Sequence, residues 1–299
     1  MLFELIQIAL GEKEKLSHTL SQLEWMSLYK EALKQSVVGM AFDGVQKLPK
    51  EQWPPQGLLF EWIGICEQIK AQNQLTYKRS VEISKLFADA GYRNCILKGQ
   101  GNALMYPNPY SRMSGDIDIW VDGTRNEIRN YVRSKCPNAY EQSNHIDFKI
   151  FKDVEVEVHF KPCTLISYIS NKRFETFCRK LKQEQMGHKV ELPDKVGEIC
   201  APTTIFNLVF QMAHIMIHFF TEGVGLRHFV DYYYVLKTNT NHTDISNLFK
   251  EFGLFRFAGG VMWIEKEDVY RLVKLASVFP SESMWKIYRK VENQKWKIK

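Results

Sequence analysis

The chain has 299 residues, of which 45% are hydrophobic and 25% are charged, and its formal net charge is +6. This composition excludes an intrinsically disordered chain, because enough apolar surface is present to offset the entropy lost on folding. It also excludes a collagen-like or low-complexity chain. The mild positive charge suits a protein that binds anions, such as nucleotides, without requiring nucleic acid.

The first quarter of the chain has helical periodicity. Apolar residues predict a helix over 17–38, with Ser17 as its N-cap. Three prolines place 48–57 in a loop, and a long helix is expected over 58–90. Gly91 is well placed to end that helix in the left-handed conformation. We interpret this region as packing scaffold.

After residue 91 the spacing of apolar residues changes from helical to alternating, which predicts a compact α/β unit over 92–162. Strands are expected at 94–97, 116–121, 145–151 and 154–160, with short helices over 101–106 and 125–134. The last two strands predict a β-hairpin that turns at Lys152 and Asp153. Beyond this unit, further helices are expected over 169–185, 203–220 and 226–236, with one short strand over 189–192.

No segment has the pattern of a targeting or membrane element. Residues 1–10 are apolar but carry Glu4 and no basic stretch, which indicates a helix rather than a signal peptide. The apolar run 203–220 is interrupted by polar residues, whereas a membrane span needs about 20 mostly apolar ones. The six cysteines form no C-x-x-C pair, so we expect free thiols in a reducing cytoplasm and no structural zinc site.

Two acids share one face of the predicted strand 116–121. Alternate side chains of a strand point the same way, so Asp116 and Asp118 face one side and the apolar residues between them face a core. Carboxylates about 7 Å apart on one strand face repel each other unless a cation lies between them. Magnesium prefers such hard oxygen ligands.

The second strand of the predicted hairpin supplies a third acid. Glu155, Glu157 and His159 alternate with valines and therefore share a face. If this strand lies beside the one that carries Asp116 and Asp118, a glutamate completes a cluster of three carboxylates that can hold two metal ions. The alternative is an ordinary solvated strand face. Two acid-bearing strands behind a glycine loop make this alternative less favourable.

That glycine loop covers 97–101, between a predicted strand and a predicted helix. Glycines there let backbone N–H groups approach a phosphate, and Lys98 adds a positive charge. The loop is not a Walker motif, because it lacks G-K-[ST]. Arg112 is a second candidate for binding phosphate, with a surface or structural arginine as the alternative.

In combination, these motifs resemble the uncharacterised nucleotidyltransferase family of the DNA polymerase beta-like nucleotidyltransferase superfamily. The resemblance is carried by Ile96-Leu97-Lys98-Gly99, Tyr106-Pro107, Pro109, Arg112, Gly115-Asp116-x-Asp118 and Val156-Glu157-x-His159. It spans about 96–160 and extends into the C-terminal helices through His214, Arg227 and Asp231.

The resemblance implies Mg²⁺-dependent transfer of a nucleoside monophosphate from an NTP to an acceptor hydroxyl, with release of pyrophosphate. Two metal ions are expected, with Mn²⁺ as the alternative ion. Asp116 and Asp118 match the metal ligands, and Glu157 matches the third carboxylate, which binds metal and activates the acceptor. Glu157 is preferred to Glu155 because it lies in the Glu-x-His pattern.

The resemblance also assigns binding of the nucleotide, ATP among the candidates, to the glycine loop and the arginine that follows it. These residues are Lys98, Gly99, Gln100, Gly101 and Arg112. Much of the superfamily has Gly-Ser or Gly-Gly in this loop. Here the serine is missing, so Lys98 or Gln100 would take its place at the phosphate.

Four polar residues form one stripe on the helix predicted over 203–220. Asn207, Gln211, His214 and His218 recur at steps of four, three and four. Because a buried polar stripe needs partners, it either lines the active-site cleft or consists of core side chains bonded to neighbouring helices. Zinc binding by the two histidines lacks a clear third ligand.

Two further features lie downstream of this stripe. Arg227 and Asp231, four residues apart, predict an ion pair whose role is structural rather than catalytic. The segment 269–299 is basic with interleaved aromatic residues, which is compatible with RNA binding, although an ordinary solvated helix is the alternative.

The sequence thus predicts an α+β protein in three segments. A small mixed β-sheet nucleotidyltransferase core over 92–195 lies between N-terminal helices over 1–91 and a C-terminal helical bundle over 196–299. One alternative is a non-catalytic nucleotide- or partner-binding module on the same fold. Others are a toxin-type enzyme that modifies tRNA or protein, and a resistance-type enzyme that modifies small aminoglycoside-like hydroxyl compounds.

Overall fold

The computed structural model describes residues 1–240 and 243–267, so the basic segment 269–299 lies outside the described residues. The helices are α1 Leu2–Leu10, α2 Gln22–Lys34, α3 Val38–Lys47, α4 Gln56–Asp89, α5 Gln100–Ala103, α6 Arg125–Lys135, α7 Tyr168–Gln185, α8 Thr204–Thr221, α9 Leu226–Thr238, α10 Ser246–Glu251 and α11 Phe255–Glu267. The strands are β1 Asn94–Ile96, β2 Ile117–Val121, β3 His145–Asp147, β4 Val156–His159, β5 Lys189–Glu191 and β6 Glu198–Cys200. The protein therefore has the predicted α+β fold.

Four of the strands form a small mixed sheet in the order β1-β2-β4-β3. Strand β2 runs antiparallel to β1 and parallel to β4, while β3 runs antiparallel to β4. The register places Asp118 of β2 opposite Glu157 of β4. Because side chains directly opposite each other point to the same face of a sheet, this register brings the acids of the two strands together.

The other face of this sheet is apolar and covered by helices. Ile117 and Ile119 of β2 and Val158 of β4 are fully buried in one apolar cluster with Phe87 of α4 and Ile128 of α6. Burying a side chain of this size contributes about 1.5–3 kcal/mol. The sheet is thereby fixed with its acidic face turned away from this core.

A second and larger apolar cluster joins the N-terminal helices to the helices that follow the sheet. It contains Trp25 of α2 and Trp62 of α4 together with Phe210 of α8 and Tyr232 of α9. N-terminal and C-terminal helices thus pack into one core beside the sheet. The division into segments at 91 and 195 stays a prediction.

The first helical region differs from its prediction in where the helices begin and end. Helix α2 begins at Gln22 because Ser21 and Glu24 form a capping box, in which the Ser21 N–H donates to the Glu24 carboxylate at 2.8 Å. The prediction of one helix over 17–38 capped by Ser17 was therefore wrong.

Helix α3 has no counterpart in the sequence prediction, since two glycines lower its helix propensity. A Cβ atom on Gly39 would lie 2.3 Å from the carbonyl oxygen of Ser111, and one on Gly44 would lie 2.2 Å from that of Leu5. The glycines are there because the backbone of α3 approaches two other segments more closely than any side chain allows.

The loop between β3 and β4 is longer than the predicted turn at Lys152 and Asp153. Strand pairing ends where the Phe148 N–H donates to the Val156 carbonyl at 2.8 Å. Arg79 of α4 then holds the loop through two hydrogen bonds to Asp153, at 3.1 and 2.7 Å. The strands are antiparallel partners as predicted, but the tight turn was wrong. Strand β6, which pairs with β5, was also not predicted.

Helix α8 is apolar enough to be compared with a membrane span. Its 18 residues have a mean hydropathy of 1.3, which meets the length and composition of a span, but 56% of that window is buried inside the fold. Phe206 and Phe210 lie in the larger apolar cluster. This burial is typical of the core helix of a globular protein, and we describe α8 as one.

A cluster of arginines around Glu141 fixes helix α6 to the following loop. Arg125, Arg129 and Arg133 contact the Glu141 carboxylate at 2.8, 2.7 and 3.3 Å. Hydrogen bonds from Arg129, and then Arg125, lower the pKa of Glu141 to about 2. Since this value is below that of the unfolded chain, the cluster stabilises the fold above the unfolded pKa and loses this effect as the pH falls towards about 2.

We therefore expect Glu141→Gln to lower the melting temperature at neutral pH. The difference from the unmodified protein should shrink between about pH 5 and about pH 3. Circular dichroism melts over this range measure the effect, with Glu184→Gln, an exposed position on α7, as the control. A difference that is the same at every pH would contradict the assignment.

Candidate active site

Three carboxylates meet on the acidic face of the sheet. Asp116, Asp118 and Glu157 each place one oxygen within 4.8 Å of the others, close enough to hold a metal ion together. This is the cluster that the alternation of the two strands predicts. Glu155 lies just outside β4 and is exposed, apart from this group.

Asp118 is the buried member of the cluster, and both of its oxygens have cationic partners. Lys98 Nζ lies 3.2 Å from Oδ2, and His159 Nε2 lies 2.9 Å from Oδ1. Burial alone would raise the pKa of Asp118, but the charge of Lys98 and the hydrogen bond from His159 hold it well below its usual range. Asp118 is therefore ionised at neutral pH.

Asp116 is the member of the cluster whose pKa is raised by repulsion from a neighbouring carboxylate. The negative charge of Asp118, followed by burial, raises the pKa of Asp116 to about 6. A divalent cation between the two carboxylates would remove this repulsion, and three carboxylate oxygens are the hard ligands that Mg²⁺ prefers. The residues present thus fit the predicted magnesium site.

The imidazole of His159 links two of the acids. Its Nε2 lies 2.9 Å from Asp118 Oδ1 and 3.4 Å from Glu157 Oε2. Burial disfavours the charged ring, but the hydrogen bonds to Asp118 and Glu157 outweigh it and raise the pKa of His159 to about 9. As a cation, His159 positions both carboxylates.

His145 is a site residue that the sequence analysis missed. Its Nδ1 lies 3.5 Å from Glu157 Oε2, and His145, Glu157 and His159 form a second group able to hold a metal ion. The register of β3 and β4 sets His145 opposite His159. The alternation in β3 carries the signal that could have found it, because His145 and Asp147 share the acidic face.

The glycine loop divides into a part that faces the cleft and a part that packs. Gly99 has φ +64°, a left-handed conformation that disfavours any side chain, and it borders the cleft with Lys98. Gln100 is 2% exposed, and a Cβ on Gly101 would lie 3.0 Å from the Ala201 side chain. The structure thus places the first two predicted nucleotide-binding residues at the cleft and the next two inside the fold.

The cleft lies between the acidic face of the sheet and helices α8 and α9. Its charged and ionisable lining includes Lys98, Arg112, Asp116, Asp118, His214 and Arg227.

The polar stripe of α8 has two roles. Asn207 and Gln211 donate to Asn102 Oδ1 at 3.2 and 2.8 Å, which fixes α5 against α8. His214 lines the cleft, with its Nε2 at 3.2 Å from Lys98 Nζ, and burial keeps its pKa well below the usual range. His218 contacts Glu222 at 3.1 Å and packs against the His214 ring. The two alternatives for the stripe are thus both realised, at different positions.

Arg112 borders the cleft, but its charge already has a partner. Its Nε and Nη2 each lie 2.8 Å from an oxygen of Asp231, and both side chains are 7% exposed. The Tyr106 hydroxyl donates to the same carboxylate at 2.7 Å. The predicted ion pair between Arg227 and Asp231 was wrong, because Arg112 takes both oxygens of the acid.

Comparison with known proteins identifies the class. The model of the family described as "Uncharacterised nucleotidyltransferase" matches residues 21–267, so the chain belongs to this family, as its motifs predicted. A solved structure, an antigenic nucleotidyltransferase-like protein from Paracoccidioides brasiliensis, is similar with a TM-score of 0.41 and 10% identity, over 67% of this chain and 91% of that one. No curated protein matches the chain.

Proposed function

We propose that this chain is a Mg²⁺-dependent nucleotidyltransferase that moves a nucleoside monophosphate from an NTP to an acceptor hydroxyl and releases pyrophosphate. The observation that carries the proposal is the group of three carboxylates, Asp116, Asp118 and Glu157, at the edge of a cleft that also holds basic side chains. Family membership supports the class of enzyme.

In the proposed reaction, a bond forms between the acceptor oxygen and the α-phosphorus. The bond from that phosphorus to the bridging oxygen breaks, and pyrophosphate leaves with its electron pair. Mg²⁺, held by the three carboxylates, would supply positive charge for the phosphates and the attacking oxygen. We assign uptake of the hydroxyl proton to Glu157, whose side chain is the more accessible of the two strand-paired acids, 30% exposed against 2% for Asp118.

Lys98 is assigned to the phosphates. Its Nζ lies 3.2 Å from Asp118 Oδ2 and borders the cleft, so it lies at the place where nucleotide and metal would meet. The neutral His214 beside it offers a hydrogen bond without adding charge. Together they line one wall of the nucleotide site.

The experiment that tests the function compares two glutamates that lie two positions apart in the sequence. Glu157→Gln should reduce Mg²⁺-dependent label transfer from α-³²P NTPs at least a hundredfold, because it removes a ligand charge and the proton acceptor. Glu155→Gln, a matched change at an exposed residue, should leave transfer unchanged. Labelled products formed with total tRNA, with protein and with an aminoglycoside as acceptors are separated and counted.

Equal activity of the two variants would contradict the assignment of Glu157. Absence of transfer to all acceptors and with each of the four NTPs would contradict the proposed function. The same experiment separates toxin-type and resistance-type acceptors, since the label would appear in tRNA, in protein or in the small molecule.

One observation favours a second candidate, a nucleotide-binding module without catalysis. Both oxygens of Asp118 are already paired, with Lys98 and His159, so this carboxylate is neutralised without a metal ion. Calorimetry with ATP, GTP, CTP and UTP, with and without Mg²⁺, distinguishes the two. Binding that does not depend on Mg²⁺, together with no transfer, would support the module.

A further inference from the structure

Arg227 is a cation of the cleft with an incomplete set of partners. It lies in the first turn of α9, and its Nη1 donates to the carbonyl oxygen of Met113 at 3.1 Å. Its Nε is buried and makes no hydrogen bond within the described part of the chain. Guanidinium stays charged in proteins, so this side chain brings into the cleft a positive charge on which Asp231 and Asp116 act only from beyond ion-pair distance.

The other two cations of the cleft differ from Arg227 in this respect. Lys98 contacts Asp118 at 3.2 Å, and Arg112 contacts Asp231 at 2.8 Å. Within the described residues, 1–240 and 243–267, no carboxylate lies within ion-pairing distance of Arg227. A partly buried charge without a counter-ion is stabilised when an anion binds beside it.

Asp231 cannot supply the missing charge, although it lies one helical turn from Arg227. Arg112 takes one oxygen through Nε and the other through Nη2, and Tyr106 donates to the first of them. Arg112 and Arg227 together carry two positive charges and Asp231 carries one negative charge. The three side chains therefore have a net charge of one positive. The neighbouring His228 adds none, since burial and the charge of Arg227 lower its pKa to about 4.

The position of Arg227 identifies the kind of anion. A Cβ atom on Gly115 would lie 4.0 Å from Arg227 Nη1, so the guanidinium stands beside the residue that directly precedes Asp116. It lines the same cleft as Lys98 and the acids. An anion bound there would be next to the proposed magnesium site, as the phosphates of a nucleotide must be.

We propose that Arg227 binds the triphosphate of the nucleotide, and that Arg112 instead holds Asp231 and the segment before the acidic strand. This inference rests on the proposed function and deepens it. A guanidinium matches phosphate oxygens through several N–H groups at once, and within the described residues Arg227 donates only one hydrogen bond, from Nη1 to Met113. The arginine of the phosphate site is thus the one on α9 rather than the one predicted in the Arg-x-x-x-Asp-x-Asp motif.

The test measures binding of inorganic tripolyphosphate and of ATP by calorimetry, with EDTA present so that no metal ion takes part. We expect Arg227→Gln to weaken both affinities about tenfold to a hundredfold, which is the size of a charge-assisted contact. Arg227→Lys should keep part of the affinity. Arg179→Gln, an exposed position on α7, should leave it unchanged, and circular dichroism melts check that each variant is folded.

The variant Asp116→Asn tests the proposed function separately from the assignment of Arg227. If Asp116→Asn abolishes Mg²⁺-dependent transfer and Arg227→Gln weakens tripolyphosphate binding in EDTA, both proposals are supported. If the unmodified protein binds tripolyphosphate and folded Arg227→Gln binds it equally well, the assignment of Arg227 is overturned while the proposed function stands. Lack of tripolyphosphate and ATP binding by the unmodified protein would also overturn it.

Discussion

Asp116→Asn is expected to reduce Mg²⁺-dependent nucleotide transfer by about a thousandfold while the chain stays folded. When one of the three carboxylate ligands is lost, the bound metal ion stabilises the transition state less. A loss of about 4 kcal/mol corresponds to a thousandfold lower rate. The negative charge of Asp118 raises the pKa of Asp116, so ionised Asp116 is repelled in the metal-free protein. Removing its charge therefore does not destabilise the fold.

The same change at Asp118 tests the site less cleanly. Asp118 is 2% exposed and lies between Lys98 and His159, so Asp118→Asn leaves the buried His159 and the partly exposed Lys98 with a weaker partner. We expect this variant to lose stability as well as activity. The comparison of the two aspartates thus separates the chemical role from the structural one.

Transfer rates and melting temperatures measured on the same preparations decide the outcome. Asp89→Asn, an exposed position at the end of α4, is the control for a lost negative charge. An Asp116→Asn protein that transfers nucleotide within about threefold of the unmodified rate would contradict metal binding by Asp116.

The second large effect is expected on stability. Asp231→Ala should lower the free energy of unfolding by about 3–5 kcal/mol, because it leaves the guanidinium of Arg112 buried without a counter-charge. The Tyr106 hydroxyl loses its acceptor in the same variant. Urea denaturation followed by fluorescence measures the loss, since the chain has seven tryptophans.

A double variant distinguishes the missing charge from the missing volume. Arg112→Met combined with Asp231→Leu replaces both charges by apolar groups and should recover most of the stability lost in Asp231→Ala. Asp89→Ala, which removes an exposed carboxylate at the end of α4, is the control. A loss below about 1 kcal/mol in Asp231→Ala would show that the pair does not hold the two segments together.

The position of the acids was predictable from sequence, because the two-residue period of a strand decides which side chains share a face. The pattern of Asp116, Asp118 and Glu157 requires only that β2 and β4 lie side by side, which the structure confirms. His145 follows from the same rule. It was missed because it comes next to the acids only through the register of β3 against β4, which places it opposite His159.

The partners of the basic residues were not predictable in the same way. The spacing of Arg227 and Asp231 favours a contact within one helix, but Arg112, which is 119 residues away in sequence, reaches the acid with two N–H groups instead. Such a choice depends on the packing of α9 against the segment before β2. Helix α3 was missed for a related reason, since its glycines serve a contact between distant backbones.

The close approach of α3 to Ser111 has a consequence for the role of the N-terminal helices. The next residue is Arg112, whose carbonyl oxygen accepts a hydrogen bond from Asn73 of α4 at 2.8 Å, as the Tyr110 carbonyl does at 3.0 Å. The short segment that leads to Asp116 is thus clamped from behind by two helices of the first quarter. These helices therefore fix the position of the segment that leads to the strand with Asp118, on the side away from the cleft.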